Sequence, residues 1–120
     1  MNIALVMCGK HKKRGFHQAR NLYTSERFQR NFREASKMCE KVFILSAKHG
    51  LLKPKKYIWN YDRSLDDLFS KERLNWSQKV VQSIMEISDS KDTIHIFAEP
   101  IYYEDIQKLL DSKGYTILVK

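Results

Sequence analysis

Four short apolar runs constrain this chain more than any other feature: Asn2 to Met7 (NIALVM), Lys41 to Ser46 (KVFILS), Thr93 to Ala98 (TIHIFA) and Tyr115 to Val119 (YTILV). The first two, continuous and closed by small or polar residues, read as strands buried on both faces. Between the runs lie helical patterns. From about Ala19 to Cys39, Leu22, Tyr23, Phe28, Phe32, Ala35 and Cys39 fall largely at helical spacing, with basic residues opposite and a possible interruption at Ser25 to Arg27. Leu74 to Ile87 carries a stripe of Trp76, Val80, Ile84 and Ile87, and Tyr103 to Ser112 forms a helix that stops at Gly114. Residues 10–18 and 53–67 read as loops, the second long enough to suggest a function. Strand–helix alternation predicts an α/β fold: one three-layer sandwich over residues 1–120, with a four-stranded, mostly parallel sheet. Right-handed crossovers favour the strand order 2-1-3-4.

Composition agrees with one folded domain. At 120 residues, 42% hydrophobic and 30% charged, the chain can bury a core without a metal or disulfide staple. Cys8 and Cys39 make no disulfide framework, and the opening run meets charge at Lys10, so no signal peptide is expected. No apolar run approaches the roughly 18 residues of a membrane span. These readings predict a reduced, cytoplasmic protein with no membrane partner. The charge is uneven: residues 1–60 hold 14 Lys and Arg against 3 Asp and Glu, whereas residues 61–120 hold 8 against 11. A basic half of this kind predicts a phosphate-bearing partner, nucleotide or nucleic acid, with a solvated basic surface as the plain alternative.

In open parallel sheets ligands sit beyond the carboxyl ends of the strands, where the strand order reverses. The predicted order delivers Cys8-Gly9-Lys10, Ser46-Ala47-Lys48-His49-Gly50 and Ala98-Glu99-Pro100 to one crevice. Gly9 to Gly15 (GKHKKRG) is no phosphate loop, because five residues separate the glycines and Phe16 follows. It remains a basic loop ahead of a helix, suited to an anion. Cys8 is a candidate nucleophile with His49 as its base, or else a small buried residue closing strand one. Cys8, His11, His17 and His49 match no tetrahedral zinc spacing, so no metal or other cofactor is expected. His95 reads as a core histidine. Ser46, Lys48, His49 and Gly50 form either an anion- and proton-handling turn or a simple cap. In Tyr57 to Leu65 (YIWNYDRSL), the aromatics either stack on bases or pin the loop. Glu99 is an acid–base candidate, or a partner for a lysine.

An ordered set of motifs carries a resemblance: Cys8-Gly9-Lys10 with Lys12-Lys13, Leu22-Tyr23-Thr24-Ser25 with Phe28, Leu45-Ser46-Ala47-Lys48-His49-Gly50-Leu51-Leu52 with Pro54, Tyr61-Asp62 with Leu65, Trp76, and Phe97-Ala98 with Tyr102. Together they resemble a small bacterial and phage domain of unknown function. The Leu45–Pro54 stretch is similar to one in YaaA-like peroxide-stress proteins. There are more distant likenesses to the archaeosine synthase core and the uracil-DNA glycosylase fold. Where relatives place Ala-Gly after the third strand, this chain has Ala98-Glu99. The resemblance implies a nucleobase held near phosphate.

The residues and the resemblance lead to one expectation, a protein that handles a nucleotide or nucleic-acid base, by N-glycosidic cleavage or base modification. His49, Cys8 and Glu99 are its catalytic candidates. Lys10, Lys13 and Lys48 would neutralise phosphate, Tyr23 and Ser25 orient the ligand, and Tyr61 and Asp62 hold the base. Ser46, Gly50 and Tyr102 complete the candidate binding set. The rival expectation is a non-catalytic DNA- or RNA-binding protein. The oligomeric state is left open.

Overall fold

A computed structural model describes residues 1–120. In chain order the strands are β1 (Asn2–Met7), β2 (Phe16–Gln18), β3 (Lys41–Ser46), β4 (Gly50–Leu52), β5 (Tyr57–Trp59), β6 (Thr93–Phe97) and β7 (Thr116–Val119). The helices are α1 (Ala19–Leu22), α2 (Glu26–Met38), α3 (Ser70–Ile87) and α4 (Pro100–Asp111), with a 3-10 turn at Leu65–Asp67.

The main sheet runs β4-β3-β1-β6-β7. Its four parallel strands are the four apolar runs, in the predicted order, registered Ile3↔Lys41, Ile3↔Ile94 and Ile94↔Ile117. The sheet has five strands rather than four. After β3 the chain reverses through Lys48-His49, and β4 returns antiparallel with Ser46 opposite Gly50. Gly50 takes φ +71°, a conformation only glycine adopts at little steric cost. A three-residue strand carries too little periodicity to be read from the sequence. Central β1 is fully enclosed, with Ile3, Ala4, Leu5 and Val6 at 0% exposure. Right-handed crossovers place α2 on one face, and α3 packed against α4 on the other. Ile84 of α3 and Ile106 and Leu110 of α4 are fully buried, as are Ile44, Leu45, Ile94 and Ile96 of the sheet.

Three other expectations change in detail. The helix expected over 19–39 is broken after Leu22, and α2 starts afresh at Glu26. Ser25 caps it, its Oγ accepting the Phe28 N–H at 3.2 Å. α3 and α4 start earlier than the apolar stripes indicated. Phe69 N–H donates to the Glu72 carboxylate at the head of α3, and Pro100 occupies the first turn of α4, where its missing N–H costs nothing. The loops expected at 10–18 and 53–67 contain a second, two-stranded sheet, β2 paired antiparallel with β5. His95 sits in the core as expected but only half satisfied: Nε2 donates to Asn2 Oδ1 at 2.9 Å, and Nδ1 has no partner. Burial, with Lys120 nearby, lowers its pKa and keeps the ring neutral.

Two carboxylates, the exposed Glu40 and the half-buried Asp92, hold backbone N–H groups at the margin of the sheet. Asn2 N–H donates to Glu40 at 2.6 Å and Asp89 N–H to Asp92 at 3.0 Å. These bonds lower both carboxyl pKa values. A lowered folded-state pKa gives a contribution present above the ordinary carboxylate range of about 4. It is lost as pH falls through the lowered values. The protection factors of the Asn2 and Asp89 amides, exchange rates corrected for the intrinsic pH dependence, should therefore fall on acidification below about pH 4, and Glu40→Gln should lower that of Asn2 already at neutral pH. Pulse-labelled exchange read by NMR checks both.

Candidate functional site at the strand ends

The strand order reverses between β1 and β6, and a cavity of about 290 Å³ opens there. The segment after β1 supplies Cys8, Gly9, Lys10 and His11, and the segment after β6 supplies Glu99, Ile101 and Tyr102. The first turn of α2 adds Ser25, Arg27 and Phe28, while Ser64, Leu65 and Asp66 close the remaining side. The N-termini of α2 and α4 both meet this cavity and turn the positive ends of their helix dipoles toward it, although Ser25 takes the Phe28 N–H, the Glu99 carbonyl takes that of Tyr102 and Pro100 has none. Arg27 and Glu99 form an ion pair that joins the two helix starts, and Lys10 faces Asp66 at 4.0 Å. Glu99 thus has a cationic partner, an arginine rather than a lysine. Gly9 is required by space: a Cβ there would stand 2.9 Å from Ser25 Oγ, the atom that caps α2.

Behind the cavity lies a buried hydroxyl cluster. Cys8 Sγ is 3.4 Å from the Tyr102 phenol. Ser46 Oγ accepts the backbone N–H of His49 at 2.9 Å and of Lys48 at 3.2 Å. With both lone pairs used, the Ser46 hydroxyl donates its own proton to the Tyr61 phenol, 2.8 Å away. Tyr61 in turn donates to Tyr23 at 2.6 Å. The chain of donors runs one way, from the turn after β3 to fully buried Tyr23. Burial is the main cause that raises the pKa of Tyr23, Tyr61 and Tyr102, with Cys8 adding to each, so all three stay protonated phenols. Lys12 Nζ lies 4.4 Å from the Tyr61 ring centroid, a cation over an aromatic face.

The single crevice expected from the strand order is instead two. A second cavity, about 340 Å³, is bordered by Lys48, His49, Gly50, Arg63, Glu72 and Trp76. Trp76 lines this one and Tyr102 the first, and their rings meet edge to face at 6.0 Å. This aromatic pair stands between the two, together with the segment from Arg63 to Leu68, which lines both. Trp76 is held in place by its indole N–H, which donates to the Ser46 carbonyl at 2.9 Å.

The predicted residues divide accordingly. Cys8, Lys10, Ser25, Glu99 and Tyr102 line the first cavity. Lys48, His49 and Gly50 border the second. Tyr23, Ser46 and Tyr61 form the hydroxyl chain between strand ends. Lys13 lines a separate groove beside α2, and Asp62 is exposed on the loop after β5. His49 does not share a cavity with Cys8; its exposed ring packs against Tyr61, centroids 5.5 Å apart. Partial desolvation, reinforced by Lys48 and Lys56, lowers the His49 pKa. Arg27, His11 and Asp66 were not read from the sequence as pocket residues. Only Arg27 carried a signal, since the helix cap at Ser25, two residues before it, fixes where that side chain starts.

A family of unknown function, DUF6884, matches residues 3–120. The chain belongs to the DUF6884 family. No curated protein and no solved structure matches it. The strand-end cavity, the hydroxyl chain and the aromatic partition of this DUF6884 domain are all built from residues inside the matched span. No helix of the domain is long and apolar enough to cross a membrane.

Proposed function

We propose that this DUF6884 domain handles a nucleotide or nucleic-acid base in the cavity between β1 and β6. The observation that carries the reading is the meeting of two helix N-termini with Lys10, His11 and Arg27 around a cavity at the reversal of strand order. That arrangement suits a phosphate, and the partly exposed ring of Tyr102 in the same lining suits a planar base. The likeness of the Leu45–Pro54 stretch to YaaA-like proteins, and the more distant ones to base-handling folds, point the same way.

Base modification or N-glycosidic cleavage is the reaction class proposed. In cleavage, the bond from the sugar C1′ to the base nitrogen breaks and its electron pair leaves with the base. Water adds at C1′ and passes its proton to Glu99, and solvent protonates the departing base. Glu99, rather than His49, takes the acid–base role because it faces this cavity. Cys8 forms the floor, its sulfur against the Tyr102 phenol.

Calorimetric titration of the domain with nucleoside 5′-monophosphates, the matching nucleosides and inorganic phosphate tests the reading. Mononucleotides should bind more tightly than nucleosides. Arg27→Ala should weaken mononucleotides by about tenfold, the effect of one lost charge-assisted contact. Glu99→Gln should retain binding and lose release of free base. The absence of binding by every mononucleotide at millimolar concentration would sink the proposal.

A further inference from the structure

The small β2–β5 sheet is unusual because its aromatic residues are on the outside. Alternation along β5 turns Ile58 inward, at 4% exposure, and Tyr57 and Trp59 outward, at 55% and 65%. Phe16 of β2 lies directly opposite Trp59 and is 51% exposed. Phe16 is the middle ring of three, 5.4 Å from Tyr57 in a stacked arrangement and 5.2 Å from Trp59. The outer face is thus a continuous strip of three aromatic rings with no aliphatic side chain.

The strip is held rigidly. At one end Gly15 N–H donates to Asn60 Oδ1 at 2.9 Å and Asn60 N–H to the Gly15 carbonyl at 3.1 Å. At the other, Ala19 N–H and Arg20 N–H donate to the Lys56 and Pro54 carbonyls. Buried Ile58 anchors the underside in the main core.

The surrounding charge is of one sign. Residues 12–20 and 53–60 carry Lys12, Lys13, Arg14, Arg20, Lys53, Lys55 and Lys56 and no Asp or Glu. None of the seven is in an ion pair. A second copy of this surface would be repelled. A lipid-inserting surface would carry aliphatic side chains beside its aromatics. Exposed rings amid unpaired cations match a flexible polyanion with planar groups to stack.

We propose that the β2–β5 ribbon is a docking surface for single-stranded nucleic acid. Unpaired bases stack on Phe16, Tyr57 and Trp59 while the flanking lysines and arginines neutralise phosphates. None of the three rings lines the strand-end cavity, so this surface stands apart from the nucleotide reading given above.

The test uses the whole chain and a fluorescein-labelled oligothymidylate of about 15 nucleotides, the upper range of a single-strand site. An oligouridylate and a duplex of equal length serve as comparison arms. Fluorescence anisotropy should show both single strands binding more tightly than the duplex. Trp59→Ala and Phe16→Ala should each weaken single-strand binding at least tenfold without altering the salt dependence. Lys55→Gln and Lys56→Gln should each reduce the slope of log affinity against log salt by about 0.7. Because Trp59 is exposed and Trp76 buried, oligothymidylate should also quench tryptophan emission of the unaltered protein, a readout that needs no variant. Equal binding of duplex, or ring variants that bind like the parent, would overturn the proposal. So would ring variants whose only effect is on adsorption to phosphatidylserine vesicles or on sedimentation as a dimer. Failure of the oligonucleotide arms leaves the mononucleotide titration of the cavity standing, and the reverse also holds.

Discussion

Tyr23→Ala should lower the stability of this domain by about 4 kcal/mol, within the range for removing a buried aromatic side chain. Tyr23 is fully buried, packs against Phe28 with ring centroids 5.0 Å apart, and meets Tyr61 edge-on at 6.4 Å. Its replacement opens a void between β1, α2 and the loop after β5. Domains of this size have about 5–15 kcal/mol in total, so the variant keeps little reserve. Tyr23→Phe separates packing from hydrogen bonding. It preserves the ring and removes only the acceptor of the Tyr61 proton, at a cost of about 1–2 kcal/mol. Urea denaturation of both variants measures the pair. A phenylalanine variant as unstable as the alanine variant would show that the hydroxyl chain, not the ring, holds this corner together.

Trp76→Ala should cost about 3–5 kcal/mol and should also join the two strand-end cavities. The indole ring stands between them, edge to face with Tyr102, and its N–H is bonded to the Ser46 carbonyl. Trp76→Phe keeps most of the partition but leaves that buried carbonyl without a donor, at a cost of about 1–3 kcal/mol. Thermal unfolding checks the stability of each variant. The joining of the cavities has its own readout: 1-anilinonaphthalene-8-sulfonate should bind folded Trp76→Ala and not Trp76→Phe at a temperature where both remain native. Equal dye binding by the two folded variants would mean that Trp76 does not divide the cavities.

The two variants bear on how the site works because they remove different supports of one assembly. Ser46 is the shared point. Its hydroxyl starts the phenol chain and its carbonyl holds Trp76. A disturbance in the turn after β3 is therefore transmitted both to Tyr23 and to the wall of the strand-end cavities. Lys48 and His49 contribute to this through their backbone N–H groups, whatever their side chains do.

The α/β class, the four parallel strands and their order were legible from residue pattern alone. Continuous apolar runs such as NIALVM and KVFILS leave few alternatives to buried parallel strands, and the handedness of crossovers then prunes the orders. Cys8, Lys10 and Glu99 were legible as pocket residues for the same reason: they follow directly from where strands β1 and β6 end. The strands β2, β4 and β5 were not, because three residues give periodicity too little length and their pairing depends on partners some 40 residues away or on a reversal at Gly50. The sequence located the aromatics of the Tyr57–Leu65 segment but could not orient them. Ribbon pairing decided that Trp59 faces outward, whereas the buried hydroxyl chain drew Tyr61 inward. Likewise, strand order alone put Cys8 and His49 at one edge of the sheet. Only the packing of Trp76 against Tyr102 placed them in separate cavities, because side-chain volume between two strand ends is a property of the assembled core and not of either segment.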